Sequence, residues 1–244
     1  MLYYLGTSGW SYDHWVGEFY PEDLPRDKWL EFFTKHFNTA EVNMTFYRFP
    51  FENLLKGWYN KTPSGFKFSL KANRQITHEK KFKNVSQLLK KFYKLADILQ
   101  EKLGCILFQT PPSFKLEKDY STFKRFLEVL YAKYSSYRNV IEFRHPSWYC
   151  EKTFELLKQH NIGFCIVSAP KLPEIVKVTA RHAYFRFHGA KKWYSYDYSA
   201  KELKEWANKI RKIKAKECFI YFNNDFNAYA VKNCKQLKKL LKQK

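Results

Sequence analysis

The chain has 244 residues, 20% of them aromatic, and its 44 Lys and Arg residues outnumber its 23 Asp and Glu residues to give a formal net charge of +21. This length suits one large domain or two small ones and is close to the ~250 residues of a typical α/β barrel. No apolar run reaches the ~18 residues that a membrane span requires, and no basic and apolar leader opens the chain. These features argue against membrane insertion, and we expect a cytoplasmic protein that is monomeric or weakly oligomeric.

The basic excess favours polyanionic partners such as DNA or RNA, because a positive surface attracts the phosphate backbone. A lysine-rich proteome would give the same count without any binding surface, so both interpretations stay open. The five cysteines contain no CxxC pair, which favours free thiols in a reducing compartment. They are Cys105, Cys150, Cys165, Cys218 and Cys234.

Eight short runs rich in apolar residues alternate with helical patterns along the chain. The predicted strands are Leu2–Leu5, Ala40–Asn43, Phe66–Leu70, Cys105–Gln109, Val140–Phe143, Gly163–Val167, Ala183–Phe187 and Cys218–Phe222. The predicted helices are Asp27–Phe37, Val85–Leu103, Tyr120–Tyr134, Trp148–His160, Ala200–Lys214 and Ala228–Leu241. The stretch Ser168–Thr179 holds two prolines and indicates a loop.

Strands that alternate with helices predict a parallel sheet, and eight is the number of strands that closes a (β/α)8 barrel. We therefore predict an α/β fold with one TIM-like (β/α)8 barrel domain over residues 1–244. An open doubly wound sheet is the alternative, but the run Gly6-Thr7-Ser8-Gly9 is too short for a dinucleotide-binding fingerprint.

The carboxyl ends of the strands are where such barrels hold their active sites. Alternate residues of a strand share a face, and here one parity is apolar while the other carries polar side chains. On the fifth strand Glu142 and Arg144 share a face, Pro146 ends the strand, and Ser147 is predicted to cap the helix Trp148–His160. A polar interior departs from the aliphatic packing that stabilises barrels, which indicates a functional site. A purely structural network of ion pairs is the alternative.

The predicted site combines candidate catalytic groups with groups suited to binding a substrate. The candidate catalytic residues are Glu41, Lys71, Glu142, His188 and Asp225. The candidate substrate-binding residues are Trp10, Asn43, Tyr47, Arg48, Gln109, Arg144, His145, Arg186, Asn223 and Asn224. The candidate ligands for a divalent metal ion are Glu41, Glu142, His188 and Asp225, although no HxH, HExxH or DxD spacing supports a metal. His78 is predicted to lie at the surface.

Three arginines near strand ends, Arg48, Arg144 and Arg186, predict an anionic substrate, because a guanidinium group binds phosphate in a planar, bidentate manner. The favoured function is enzyme chemistry on nucleic acid, as in a DNA nuclease or a repair-type hydrolase. A metal ion could activate water, or His188 or Glu142 could act as general acid or base without metal. Lys71 as a Schiff-base nucleophile is a variant of this function.

Two other functions stay open. One is a hydrolase or isomerase of a sugar or sugar phosphate, because paired carboxylates suit that chemistry. The other is a barrel that binds a ligand without turning it over.

Several sequence blocks together resemble the YecE-like family, which is also called domain of unknown function 72. The first block is GTSGWSYDHWVGEFYP, from Gly6 to Pro21, and the others are Glu41–Pro50, Glu142–Trp148, Tyr184–Gly189 and Tyr221–Asp225. The resemblance covers nearly the whole chain and implies a TIM-like barrel, but it implies no activity. One departure is Thr110, where the family usually has leucine between Gln109 and Pro111.

Overall fold

The structure is a computed structural model that describes residues 1–242, so the predicted domain 1–244 extends two residues beyond it. Eight parallel strands pair in chain order, and the last pairs with the first, so the sheet closes into a barrel. The strands are β1 Leu2–Ser8, β2 Thr39–Val42, β3 Lys67–Lys71, β4 Leu103–Gln109, β5 Arg138–Glu142, β6 Gly163–Ser168, β7 His182–Phe187 and β8 Glu217–Phe222. Closure confirms the predicted (β/α)8 barrel and excludes the open doubly wound sheet.

The α-helices lie outside the barrel and cover the apolar face of the strands. They are α1 Trp29–Thr34, α2 Met44–Tyr47, α3 Glu52–Asn60, α4 Ser86–Ala96, α5 Leu116–Tyr134, α6 Glu151–Gln159, α7 Ala200–Lys212 and α8 Tyr229–Lys242. None of the helices within residues 1–242 is long and apolar enough to cross a membrane.

Two helix boundaries differ from the sequence prediction for local reasons. The predicted helix Trp148–His160 begins later, because Pro146–Trp148 form a separate 3-10 turn that the His145 side chain caps, and α6 starts at Glu151. Ser147 therefore does not cap α6; its Oγ instead accepts a hydrogen bond from the Leu116 amide at 3.0 Å. After α4 the chain passes through a 3-10 segment with a left-handed Gln100 (φ 47°) before β4 begins.

The α2 and α3 helices between β2 and β3 were not predicted, and the segment between β6 and β7 contains no helix, as its two prolines indicated. A cavity of about 730 Å³ lies beside the residues that precede β7, between the carboxyl-terminal ends of α6 and α7. It is on the opposite face of the barrel from the predicted site.

The barrel interior is filled by aromatic side chains below its carboxyl-terminal end. Tyr4 stacks on Phe219 with ring centroids 4.7 Å apart, and Tyr184 lies 5.1 Å from Tyr221. The Tyr221 hydroxyl contacts Thr39 Oγ1 at 2.6 Å and Ser69 Oγ at 2.8 Å. These rings block passage through the barrel, so a ligand can approach the polar groups above them only from the carboxyl-terminal mouth.

Gly6 is required by the close approach of β1 to β2. A Cβ atom at Gly6 would lie 1.9 Å from the Thr39 carbonyl oxygen, whereas one at Gly57 in α3 would meet nothing within 4 Å. We therefore expect Gly6→Ala to lower the free energy of unfolding by about 2 kcal/mol or more, as overpacking does. Gly57→Ala is the matched control, and we expect it to raise that free energy by about 0.5–1 kcal/mol. Urea unfolding measures both, and equal effects of the two variants would contradict the assigned pairing of β1 with β2.

Candidate active site

A buried cluster of charged side chains lies directly above the aromatic layer. Glu41 on β2, Glu142 on β5 and Arg186 on β7 are at most 1% exposed, and His188 just beyond β7 is fully buried. The strands place them on one face because each occupies the inward parity of its strand. The structure therefore brings together four residues that the alternation of the sequence pointed to.

Arg186 joins the two carboxylates. Its Nε and Nη2 donate to Glu41 Oε1 at 3.1 and 2.6 Å, and its Nη1 donates to Glu142 Oε2 at 2.6 Å. Glu41 also accepts hydrogen bonds from Ser8 Oγ and from the Tyr184 hydroxyl, each at 2.6 Å. Both carboxylates thus face a charged or hydroxyl donor, as buried ions require.

Glu142 is held by two further groups. Its Oε1 lies 2.5 Å from Arg144 Nε, in an ion pair whose N–H is not directed at the oxygen, and 3.2 Å from His188 Nε2. Burial alone would raise the pKa of Glu142, but Arg144, Arg186 and His188 together hold this pKa well below its ordinary value. Glu142 is therefore a carboxylate at neutral pH and a poor proton donor.

His188 is a neutral imidazole in this cluster. Burial, followed by the charges of Arg144 and Arg186, lowers the pKa of His188 to about 3, although Glu142 opposes the shift. The Asn223 amide nitrogen lies 3.0 Å from Nδ1, and Nε2 lies 3.2 Å from Glu142 Oε1 and 3.3 Å from Arg144 Nη2. Both ring nitrogens are engaged, so the geometry offers little support for His188 as the general base.

The candidate metal ligands do not form one site. No group of three His, Cys, Asp or Glu side chains in residues 1–242 is arranged to hold a metal ion. Arg186 occupies the space between Glu41 and Glu142, and Asp225 points elsewhere, toward His14 at 3.6 Å. The carboxylate donors that a metal would need are already bonded to guanidinium groups.

Lys71, at the carboxyl end of β3, is the least constrained cation of the mouth. Its Nζ lies 4.1 Å from the centroid of the Phe46 ring and makes no hydrogen bond or ion pair with the other residues among 1–242. Burial and the charge of Arg186 lower the pKa of Lys71 to about 7, with Arg144 adding to the shift and Glu142 and Glu41 opposing it. A large fraction of Lys71 is therefore a neutral amine at physiological pH.

His78 is a mouth residue that sequence reasoning placed at the surface. It lies in a single π-helical turn, Gln75–Glu79, and packs edge-on against the Phe46 ring at 4.8 Å. Burial and the nearby Lys71 lower the pKa of His78 to about 4. A π-helical turn is frequent at functional sites, but no spacing in the sequence marks one here.

Arg144 forms the rim of the mouth just beyond β5, two strands away from β3. Its guanidinium carbon lies 4.8 Å from the Trp193 ring centroid, and its Nη2 contacts Gln109 Oε1 at 3.3 Å. The side chains of Trp193 and Gln109 line a cavity of about 230 Å³ beside Arg144, together with Pro146 and Lys171. The predicted inward position of Gln109, rather than Thr110, agrees with these contacts.

The surface around the mouth is aromatic and basic. Exposed aromatic side chains follow β2, β7 and β8: Tyr47, Phe51, Tyr194 and Phe226. Exposed lysines follow β3, β4, β6 and β7: Lys80, Lys83, Lys115, Lys171, Lys191 and Lys192. Acidic residues of the loops that follow β3, β6 and β7 are paired, Glu79 with Arg74, Glu174 with Lys209 and Asp197 with Lys232.

Among the other predicted binding residues, Asn43 and Tyr47 reach the mouth region and Arg48 is exposed beside them. Asn43 Oδ1 is buried and has no hydrogen-bond partner among residues 1–242. Such an atom usually needs an explanation, and a donor on a bound substrate would supply one.

Four predicted residues have structural contacts instead. Trp10 packs against Trp58 and Phe68 outside the barrel, and His145 caps the turn after β5. Asn224 donates to the Tyr196 carbonyl and to Asn233 Oδ1.

The Asp225 carbonyl accepts a hydrogen bond from Trp15 Nε1 at 3.0 Å, which connects the loop after β8 to the loop after β1. Burial raises the pKa of Asp225 above its ordinary value, and this group is separate from the Glu41–Glu142 cluster.

We expect Arg186→Met to lower the free energy of unfolding by about 3–5 kcal/mol, because it leaves two buried carboxylates without their shared cation. Arg138→Met is the matched control, since Arg138 makes a similar two-pronged contact with Glu217 but the two side chains are 35% and 23% exposed. There we expect a loss of about 1 kcal/mol or less. Chemical denaturation of both variants measures these free energies. If Arg186→Met loses less unfolding free energy than Arg138→Met, the buried cluster does not stabilise the mouth of the barrel as we expect.

We also expect stability to fall on acidification before carboxylates titrate. The pKa of buried His188 is about 3 when folded and 6.5 in its ordinary state, so its contribution is complete above pH 6.5 and is lost as the pH falls toward 3. Each such group contributes a slope of up to ~1.4 kcal/mol per pH unit. Unfolding free energies from pH 7.5 to 4.5 should show this slope.

In His188→Gln the dependence of the unfolding free energy on pH should become shallower by up to ~1.4 kcal/mol per pH unit, which corresponds to the uptake of one proton fewer on unfolding. His182→Gln should give a similar, additive decrease, because burial lowers the pKa of His182 to about 4 at the other end of β7. A slope in His188→Gln equal to that of the wild type would mean that the native state protonates this imidazole.

The comparisons with known proteins agree with the family resemblance. The sequence model described as "Protein of unknown function DUF72" matches residues 4–244. The chain is 26% identical to UPF0759 protein YunF of Bacillus subtilis, over 98% of this chain and 95% of that protein. It is 25% identical to UPF0759 protein YecE of Escherichia coli, over 62% of this chain and 51% of that protein.

Solved structures share the whole fold. A DUF72 family protein of Thermotoga maritima superposes with a TM-score of 0.89 at 33% identity and covers 99% of both chains. A DUF72 family protein of Enterococcus faecalis shares the fold with a TM-score of 0.84 at 23% identity, over 98% of this chain and 95% of that one. With its barrel closed, its polar interior in place and the family model matched from residue 4 onward, this chain belongs to the DUF72 family.

Proposed function

We propose that this protein is an enzyme that acts on a phosphate-bearing substrate, with nucleic acid favoured, at the carboxyl-terminal mouth of the barrel. The observation that carries the proposal is the charge balance of the mouth. Glu41 and Glu142 are matched by Arg186 and Arg144, so Lys71 and the exposed lysines give the β3 to β7 side of the mouth a positive charge, whereas the loop after β1 carries the exposed acids Glu18, Glu22 and Asp23. An anion is the ligand that such a site attracts.

Arg144 is the residue best placed to bind the phosphate. Trp193 covers one part of its guanidinium group, Glu142 lies beside Nε and Gln109 accepts from Nη2, whereas Nη1 has no hydrogen bond among residues 1–242. A guanidinium group held in this way can donate a charge-assisted hydrogen bond to phosphate at a small entropic cost. Lys171 on the cavity wall adds a second positive charge.

The exposed aromatic side chains support nucleic acid as the substrate. Tyr47, Phe51, Tyr194 and Phe226 present rings to solvent around a basic mouth. Proteins that bind single strands combine basic grooves with aromatic platforms, because bases stack on them. This combination favours an unstacked or single-stranded substrate over an intact duplex.

A sugar phosphate is the second candidate substrate, and the small volume of the cavity beside Arg144 favours it. Both candidates need the same phosphate site. Glycosidase chemistry with Glu41 and Glu142 is less favoured, because that reaction needs one protonated carboxyl group and Glu142 is held ionised.

We expect labelled single-stranded DNA, RNA and duplexes containing an abasic site to bind with an affinity that falls steeply with salt. Arg144→Gln should weaken binding and lower the salt slope by about one phosphate contact. The matched control is Arg125→Gln, which removes an exposed charge on the flank of α5 and should leave the slope unchanged. Fluorescence anisotropy from 50 to 300 mM salt measures both.

Turnover is tested on the same panel, and on phosphorylated sugars, with and without a chelator. We expect product with the wild type and not with Arg144→Gln. Salt-independent binding would overturn the phosphate site, and tight binding without product from any of these substrates would make the barrel a ligand-binding protein rather than an enzyme.

A further inference from the structure

Lys71 is placed as a reactive group rather than as a structural cation. It ends β3, on the side of the barrel opposite β7, whereas the cavity beside Arg144 is formed by the segments that follow β4 to β7. The cavity wall nearest to Lys71 is formed by Gln109 at the end of β4, because β4 is the strand that pairs with β3. Lys71 is thus one strand away from the cavity that we propose holds the phosphate.

The surroundings of Lys71 favour its neutral form through two physical effects. Phe46 covers the amine with an aromatic ring, which replaces water on that side. The charged groups that act on it are Arg186 on β7, Arg144 and Glu142 at the end of β5, and Glu41 on β2. Because each of those carboxylates is bonded to an arginine, none is available as a close partner for the ammonium group.

A lysine that only binds phosphate does not need these surroundings. A fixed cation works best when it stays protonated, but the pKa of Lys71 is lowered to about 7. Enzymes that use lysine as a nucleophile lower its pKa in this way, by desolvation and by neighbouring cations. Lys71 also makes no hydrogen bond within residues 1–242 that would occupy its lone pair or direct it away from the mouth.

We propose that Lys71 Nζ forms a Schiff base with the aldehyde or ketone carbon of a phosphorylated sugar. This inference rests on the proposed function, since Arg144 must hold the phosphate of the same molecule. It makes the reaction that of a lyase, in which the substrate is joined covalently to the chain.

The step is balanced without a cofactor. The neutral amine attacks the carbonyl carbon, the C=O electron pair moves to oxygen, and a proton shift from nitrogen to that oxygen gives a carbinolamine. Protonation of the hydroxyl and loss of water leave an iminium ion on Nζ. The iminium draws electrons from the adjacent carbon, which loses a proton to water; in an abasic strand the electron pair then forms a C=C bond and expels the phosphate ester from the next carbon together with its C–O bonding pair. Hydrolysis of the imine releases Lys71.

Two sources present the aldehyde and a phosphate. An abasic site in a nucleic acid strand opens to an aldehyde with a phosphate ester on the carbon that is expelled, whereas a free open-chain sugar phosphate such as deoxyribose 5-phosphate can form the Schiff base but has a hydroxyl at that carbon. The basic and aromatic surface around the mouth favours the strand, and the small cavity favours the free sugar phosphate.

Reductive trapping tests the inference. The whole protein is incubated with cyanoborohydride and either an abasic-site oligonucleotide or deoxyribose 5-phosphate, and the adduct is weighed by intact mass spectrometry and located by peptide mapping. We expect one adduct per chain, at Lys71, with the preferred source labelled at least tenfold faster. The rate should rise with pH about a midpoint near 7, as the amine loses its proton.

Lys71→Arg keeps the positive charge but removes the nucleophile, so it should bind the substrate and form no adduct. Lys67→Arg is the matched control, because Lys67 lies at the other end of the same strand, where its Nζ donates to the Glu101 carbonyl. We expect its adduct yield to equal that of the wild type.

Each outcome bears on one claim. An adduct spread over surface lysines, or equal labelling of Lys71→Arg and the wild type, would overturn the nucleophile. So would full turnover by Lys71→Arg. If salt-dependent binding persists while trapping fails, the phosphate site stands and only the Schiff base is lost; if binding itself is absent, the proposed function fails first.

Discussion

The bridge from Arg186 to Glu41 and Glu142 is the interaction on which the mouth of the barrel depends. It connects β2, β5 and β7 across the interior with three hydrogen bonds of 2.6–3.1 Å. Buried charges are tolerated only when each is paired and hydrogen-bonded. Tyr184 and Ser8 satisfy further oxygen positions of Glu41, so the cluster is a completed network that rigidly sets the strand ends.

This completed network determines which groups remain for chemistry. Glu142 is kept ionised by Arg144, Arg186 and His188, and His188 is kept neutral by the same surroundings. Neither group is free to exchange protons easily at neutral pH. The charged groups of the mouth outside the Arg186 bridge are Arg144, which pairs with Glu142 and contacts Trp193, and Lys71, which has no ion-pair partner among residues 1–242.

Strand periodicity in the sequence was informative about the core of the site. Glu41, Glu142, Arg186 and His188 were predicted to point inward because their neighbours of opposite parity are apolar, and they do meet inside the barrel. Strand parity says less about residues just beyond the strands. Trp10, Asn224 and Asp225 follow strand ends, but loop geometry turns them into packing and capping contacts. His78 was missed because its π-helical turn has no sequence signal.

The sequence by itself determined the eightfold alternation of strands and helices and the polar parity of the strands, which depend on short-range periodicity that a one-dimensional chain displays directly. The family was recognised from the resemblance of sequence blocks, and the closure of the sheet was decided by the tertiary structure. Only the tertiary structure decided how the charges pair, which groups contact the two ring nitrogens of His188 and why the Lys71 pKa falls toward 7. Those properties depend on distances between strands far apart in the chain and on the water that packing excludes, because the strength of a charge interaction is set by both.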